Sequence, residues 1–266
     1  MANPLGSFIW YELMTTDPDG AAQFYNAITG WHIPEHASAG APLDYRHILR
    51  DDGKSNGGML GLTPEMCDQG AHPCWVGYLY VADVDAAIAA ISADGGRVLM
   101  PTTTIDVGSF AMVTDPQGVP FYVMTPIAPA GHDGEPSDVY DRWEPGHVSW
   151  NELYTADLAS AKAFYARHFG FAFNEALHMG PELGDYCFID HGGQTIGAMM
   201  QKPPQVPVPG WNFYIRVGDI DAAKTTAEAK GGRVVHGPVQ VPGGDWIING
   251  FDPQGASFAL VGKRMA

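Results

Sequence analysis

Two glutamates carry the most suggestive chemistry in the chain. Glu12 lies in Phe8-Ile-Trp-Tyr-Glu-Leu-Met-Thr-Thr-Asp17, and Glu152 lies in Val148-Ser-Trp-Asn-Glu-Leu-Tyr-Thr-Ala-Asp157. In each run a tryptophan precedes the glutamate by two positions. In an extended strand, Trp10 and Glu12 therefore project from one face, as do Trp150 and Glu152. A carboxylate enclosed by aromatic walls is disfavoured in its charged form and can serve as a general base. Such walls suit a mostly apolar or cationic small molecule. The same residues equally suit a packed core, because large aromatics on central strands commonly fill cores, and a structural hydrogen bond would satisfy either glutamate. The residues leave both uses open. A carboxylate among aromatics costs several kcal/mol if left alone. Each glutamate is thus expected to have a hydrogen-bond partner, a raised pKa or contact with water.

Other chemistries are poorly supported. The ten histidines form no HxH or HExxH pattern. His47 and His191 fall on or beside expected strands without a counterpart elsewhere, which favours a surface or core role. The cysteines are Cys67, Cys74 and Cys187, with no CxxC, so neither a zinc site nor a disulfide framework is expected. Thirty acidic residues against 14 basic give a net charge of −16, which repels phosphate backbones and anionic lipid. Nucleic acid and membranes are excluded as partners on that ground, leaving a small-molecule ligand or substrate and a monomer or homodimer. The start, MANPLGSFIW, lacks a basic segment and a long apolar run, and reads as cytoplasmic.

The elements that would position the glutamates come from an internal repeat. Trp10, Glu12, Phe24, Tyr25 and Gly30 recur 140 residues later as Trp150, Glu152, Phe164, Tyr165 and Gly170. Trp75, Asp83 and Gly95-Gly-Arg-Val98 recur after 136 residues at Trp211, Asp219 and Gly231-Gly-Arg-Val234. Asp115-Pro-Gln-Gly118 recurs after 137 as Asp252-Pro-Gln-Gly255. Order is kept while spacing drifts, as changes in loop length produce. Residues 1–127 and 145–266 are expected to form two similar domains joined by a proline- and acid-rich linker, 128–144, with Val139, Tyr140 and Trp143 able to pack.

Each copy begins with a strand, Phe8–Met14 or Val148–Tyr154. A helix follows, capped by Asp17 or Asp157. Its apolar face is Ala21, Phe24, Tyr25 and Ile28, or Ala161, Phe164, Tyr165 and Phe169. Gly30 or Gly170 ends it. Strands at Tyr45–Leu49, Gly58–Leu62, Tyr186–Asp190 and Ile196–Met200 come next. A second strand and helix follow in each copy, Cys74–Val81 with Ala86–Ala93, and Trp211–Val217 with Ala222–Lys230. The Gly-Gly pairs follow helices and act as stops, not phosphate cradles. Asp83, Asp115, Asp219 and Asp252 sit at turns and helix starts, where local hydrogen bonding is expected.

A first strand ending Thr-x-Asp, a helix closing Phe-Tyr-x-x-x-x-Gly-Trp/Phe and a late Asp-Pro-x-Gly turn, occurring twice, resemble the vicinal oxygen chelate superfamily of glyoxalases, bleomycin resistance proteins and extradiol dioxygenases. The Trp-x-Glu-Leu strand and Asp-Pro-Gln-Gly ending are similar to a two-domain glyoxalase-like "hydroxylase" subgroup. The resemblance covers nearly all of the chain outside the linker. It implies an α+β fold in which each domain is two βαβββ modules forming a curved mixed sheet with helices outside.

It also implies four metal-ligand positions per domain, which fall here at Trp10, Gly58-Met59, Gly77 and Tyr122, and at Trp150, Ala198-Met199, Phe213 and Ala259. These side chains cannot ligate a hard divalent ion, so neither a metal nor another cofactor is expected. The family register turns Trp10 and Glu12 inward with Trp75 and Tyr122, and turns Trp150 and Glu152 inward with Trp211 and Phe213. Glu12 and Glu152 are then the catalytic candidates, and the six aromatics the ligand-binding ones. The resulting expectation is a small-molecule-binding protein with an aromatic cavity. The alternative is a glyoxalase-like lyase, or a dioxygenase or hydroxylase, acting on a small carbonyl or phenolic compound.

Overall fold

The computed structural model describes residues 3–37, 39–40, 42–127 and 135–265. The first repeat contains β1 (Phe8–Thr15), α1 (Pro18–Thr29), β2 (Tyr45–Leu49), β3 (Ser55–Gly61), α2 (Pro64–Asp68), β4 (Cys74–Tyr80), α3 (Val84–Ala93), β5 (Arg97–Ile105), β6 (Gly108–Thr114) and β7 (Pro120–Pro126). The second contains β8 (Val148–Thr155), α4 (Leu158–Phe169), β9 (Ala176–His178), β10 (Asp185–His191), β11 (Gln194–Gln201), β12 (Gly210–Asp219), α5 (Ile220–Ala229), β13 (Arg233–Gln240), β14 (Trp246–Phe251) and β15 (Ser257–Lys263).

Local chemistry explains the helix ends. Asp17 and Asp157 cap α1 and α4 by accepting from the amides of Gly20 and Ser160 at 3.0 Å each. Asp83 and Asp219 do the same for α3 and α5. Gly30 and Gly170 close α1 and α4 in left-handed conformation, with φ of 75° and 70°. The short helix α2 was not expected from the apolar pattern. Thr63 caps it, and Pro64 stands at its first position.

Each repeat supplies one mixed α+β sheet. The strand orders are β2-β3-β1-β4-β7-β6-β5 and β13-β14-β15-β12-β8-β11-β10-β9. Pairs β1–β3 and β4–β7 are parallel, as are β8–β11 and β12–β15, while the hairpins are antiparallel. The eighth strand of the second sheet, β9, has no counterpart among the described residues of the first.

Contacts group the chain differently. One compact unit comprises residues 1–9, 76–138 and 151–211, and the other comprises 10–75, 139–150 and 212–266. Each unit joins the first half of one repeat to the second half of the other. In the unit holding residues 10–75, Phe24 of α1 meets Phe258 of β15 at 5.5 Å between ring centres, and Tyr11 meets Phe213 at 5.0 Å. In the other unit, Phe164 of α4 meets Phe121 of β7 at 6.5 Å, and Tyr165 meets Trp211 at 5.4 Å.

Backbone approach within the sheets is close enough to demand glycine at two equivalent places. Gly57 on β3 faces Tyr11 in the parallel register, and Gly197 on β11 faces Asn151. A Cβ on either glycine would overlap the neighbouring strand's carbonyl oxygen. Gly57→Ala and Gly197→Ala are each expected to cost about 2 kcal/mol or more, as overpacking does. Chemical denaturation measures this, and a change below about 0.5 kcal/mol in either variant would contradict the register.

Candidate functional site

Tyr11 is fully buried on the aromatic core side of β1, so its neighbours Trp10 and Glu12 face the other way. The register continues outward from there. Glu12 pairs with Gly58 of β3, and Gly58 pairs with His47 of β2. Tyr45, two residues before His47, shares that face. The Tyr45 hydroxyl accepts from Trp10 Nε1 at 2.9 Å and is hydrogen-bonded to the Glu12 carboxylate. Trp10 and Tyr45 both pack edge-on against His47, at 5.8 and 6.1 Å between ring centres. His47 Nδ1 lies 3.2 Å from Ser55 Oγ.

Glu12 is buried, whereas Tyr45 as a whole residue is 37% exposed. Its hydroxyl end is tucked against Gly58, where any Cβ would collide with it. Burial first, and the Glu12 carboxylate second, hold the Tyr45 phenol well above its ordinary value of 10.0. It therefore stays protonated at neutral pH and donates, while Glu12 accepts.

The second repeat carries the same pair. Tyr186 of β10 donates to Glu152 Oε1 at 2.7 Å. Glu152 pairs with Ala198 of β11, and Ala198 pairs with Phe188 of β10. Ala198 thus corresponds to Gly58, and Phe188 to His47. Both glutamates have the hydrogen-bond partner that burial required. Neither tyrosine was singled out from the sequence, although Tyr45-x-His47 and Tyr186-x-Phe188 recur 141 residues apart. That offset was the available signal. His47, assigned from sequence to a surface or core role, lies beside Tyr45 and Trp10.

The other sequence-chosen aromatics divide. Trp75 is not beside Glu12: its Nε1 donates to the Tyr25 hydroxyl on α1 at 3.0 Å, within the helix-covered core. Trp211 likewise donates to the Tyr165 hydroxyl on α4 at 3.1 Å. Phe213 packs on Tyr11, again on the core side. All three lie on the opposite face from the one expected. Their strands are apolar on both sides, so alternation alone does not say which side the helices cover. Gly77 shares the phase of Trp75, so the inward residues of β4 are its neighbours Val76 and Tyr78.

Tyr122 stands opposite Phe121, which faces α4, and stacks on its register partner Tyr78 at 4.1 Å. Trp150 packs against the buried cluster of Tyr214, Ala259 and Val261, as Ile247 does. A cavity of about 320 Å³ lies elsewhere, among Val81, Ala86, Ala90, Ile91, Arg167 and Phe169 on and beside α3 and α4. None of the sequence-chosen residues lines it.

Cys74, at the start of β4, feels Glu12. Burial first and that carboxylate second push its thiol up to about 12. Cys74 is therefore expected to alkylate at least about tenfold more slowly near neutral pH in the folded protein than in the denatured one, since the thiolate is the nucleophile. Mass spectrometry of the labelled peptides follows this, and equal rates would contradict the assignment.

The profile of the glyoxalase/bleomycin resistance protein/dioxygenase superfamily matches residues 7–123 and 145–260. The chain belongs to this superfamily, as two tandem glyoxalase domains. It is 30% identical over 257 residues to a Mycobacterium bovis protein named "Putative glyoxylase CFP32", covering 95% of this chain and 93% of that one. It is 28% identical to the anthracycline biosynthesis protein DauV of Streptomyces sp. strain C5, covering 98% and 94%. Among solved structures, the Mn(II)-bound glyoxalase from Novosphingobium aromaticivorans aligns over 98% of this chain and 83% of its own, with a TM-score of 0.62 and 16% identity. The halotolerant catechol dioxygenase BphC aligns over 97% and 87%, with a TM-score of 0.65 and 14% identity. Likeness at that identity speaks for the fold alone.

The family's divalent ion does not fit the residues present. Trp10 Nε1 is a donor already directed at Tyr45, and the phenol fills the space at Gly58. Ala198 and Ala259 offer no ligating side chain. Among the described residues, no group of three or more His, Cys, Asp and Glu side chains is placed to hold a metal ion. Among them too, no helix is long and apolar enough to cross a membrane.

Proposed function

We propose that this protein binds a small aromatic or carbonyl compound on the sheet faces turned away from the helices. Tyr45 and Glu12 supply the polar contacts in the first repeat, and Tyr186 and Glu152 those in the second. Trp10, Trp150 and Tyr122 supply apolar wall. The carrying observation is the paired donor and acceptor. A protonated tyrosine meets a buried glutamate at equivalent register in both repeats, while the residue beside the tyrosine changes from His47 to Phe188. Two relatives named for anthracycline biosynthesis accord with an aromatic ligand.

The same pair favours one enzymatic reading, proton abstraction beside a carbonyl. Glu12 would take the proton, and the Tyr45 hydroxyl would hydrogen-bond the oxygen that gains charge. An oxygenase would need donors other than these to hold its metal.

A thermal-shift screen of phenols, aromatic aldehydes and 1,2-dicarbonyls tests the reading. A ligand at a hundred times its Kd stabilises the folded protein by about 2.7 kcal/mol. At least one class is expected to raise the melting temperature of the wild type and to do so less in Glu12→Gln. No stabilisation by any class would reject binding. Equal stabilisation of the variant would reject Glu12 as part of the site.

A further inference from the structure

Arg142 presents a guanidinium that packs on indole rings without an ion-pair partner among the described residues. It lies just before β8, with its guanidinium carbon 5.2 Å from the ring centre of Trp143 and 5.1 Å from that of Trp150. Among the described residues, no carboxylate or other acceptor meets its N–H groups. This is unusual in a chain with 30 acidic and 14 basic residues. Arg46, Arg50, Arg167, Arg216 and Arg264 each have a carboxylate oxygen within 3.2 Å. Arg97 and Arg233, which also lack one, are exposed residues at the starts of β5 and β13, whereas Arg142 is half-buried.

Its position is fixed by the backbone. The Arg142 carbonyl accepts from Arg216 Nε at 2.8 Å, and buried Arg216 is itself tied to Asp245 at 2.7 Å. Asp141 accepts from the amides of Trp143 and Glu144 at 2.7 and 3.0 Å, which sets the turn on the following side. Trp150 packs against the buried cluster of Tyr214, Ala259 and Val261. The backbone at Arg142 and the indole of Trp150 are thus both held in place, and the guanidinium rests on the indole. Contacts of the cation with indole rings leave its in-plane N–H groups available. A planar fork of this kind matches a carboxylate bidentately, which an ammonium does not. The indole beside it offers a flat apolar wall for a ring.

We infer that Arg142 and Trp150 form a binding site for an aromatic carboxylate, the guanidinium taking the anion and the indole packing on the ring. The site shares the Trp150 wall with the reading above but requires none of its glutamates or tyrosines, so it goes beyond that reading and can fail without it.

Full-length protein titrated with 1-naphthoate tests the inference, with calorimetry for affinity and the indole N–H resonances for location. The neutral isostere 1-naphthamide is the control. Expected results are saturable binding of the acid with the Trp150 indole resonance shifted, and binding of the amide at least about tenfold weaker, which is about 1.4 kcal/mol. Arg142→Gln is expected to weaken the acid by at least as much and Arg142→Lys by an intermediate factor, whereas Arg97→Gln, at an exposed arginine starting β5, is expected to leave it unchanged. Equal affinity for acid and amide, unchanged affinity in Arg142→Gln, or no saturation at millimolar acid would overturn the inference. A loss in Arg97→Gln equal to that in Arg142→Gln would reduce the effect to net charge and overturn it too.

Discussion

Asp252→Ala is expected to lower the melting temperature by about 6–12 °C, the largest effect of any single polar substitution proposed for this protein. Asp252 Oδ1 accepts from the amides of Gln254 and Ala256 at 3.0 and 2.8 Å, and Oδ2 accepts from the Tyr25 hydroxyl at 3.1 Å. Tyr25 in turn accepts from Trp75 Nε1. Alanine leaves three donors without their acceptor in a site where Asp252 is only 4% exposed. At about 1 kcal/mol or more for each stranded group, the loss is about 3 kcal/mol. Asp115 is built alike, accepting from Gln117, Val119 and the Tyr165 hydroxyl, so Asp115→Ala is expected to match it. Scanning calorimetry reads both, and a fall of less than about 2 °C in either would show that the turn tolerates losing its acid.

The same aspartates carry a pH signature. Burial raises the carboxyls of Asp115 and Asp252 above the ordinary 3.8, against the pull of the amide and tyrosine donors. A group whose folded pKa is raised gives stability that is full below the unfolded value and is lost as pH climbs through the folded value. The stability of wild type relative to Asp252→Asn is therefore expected to fall as pH rises from below 3.8 through the raised value, then level off. A difference curve that rises over this interval would reverse the sign of the shift.

Tyr45→Phe is expected to lower ligand affinity by about tenfold or more and stability by about 1–2 kcal/mol. The hydroxyl is the one acceptor shown for Trp10 Nε1, and it also bonds the buried Glu12. Removing it takes away the hydroxyl proposed to contact ligand and leaves the carboxylate with one bond fewer. Glu12→Gln keeps the shape and loses the charge. Because Glu12 is the second cause of the raised Tyr45 phenol, its neutralisation is expected to bring that phenol down. Burial is the larger cause, so the value is expected to remain above 10.0. Tyrosinate absorbance during alkaline titration, with Tyr45→Phe as the blank, follows this. A phenol unmoved in Glu12→Gln would separate the two residues, and full affinity in Tyr45→Phe would remove the hydroxyl from the site.

The sequence determined the parts that depend on short-range chemistry. The drifting repeat set two copies of the same element order. Asp17, Asp83, Asp157 and Asp219 marked helix starts through caps that act within three residues. The two-residue period of a strand put Trp10 with Glu12 and Trp150 with Glu152 without any knowledge of the sheet.

Tertiary structure alone decided what those faces meet. β1 carries large aromatics on both sides, so its period has no phase until packing buries Tyr11 against Phe213 on one of them. The same ambiguity sent Trp75, Trp211 and Phe213 to the core, not the open face. Tyr45 became the partner of Glu12 because β2 pairs with β3 and β3 with β1 in one register, bringing together residues that no local rule connects. The bond from Tyr25 to Asp252 spans 227 positions and links the first half of one repeat to the second half of the other. Each half-repeat exposes an apolar face that its own segment cannot cover. Which other half covers it is a matter of packing between distant segments, and it is settled only in the folded chain.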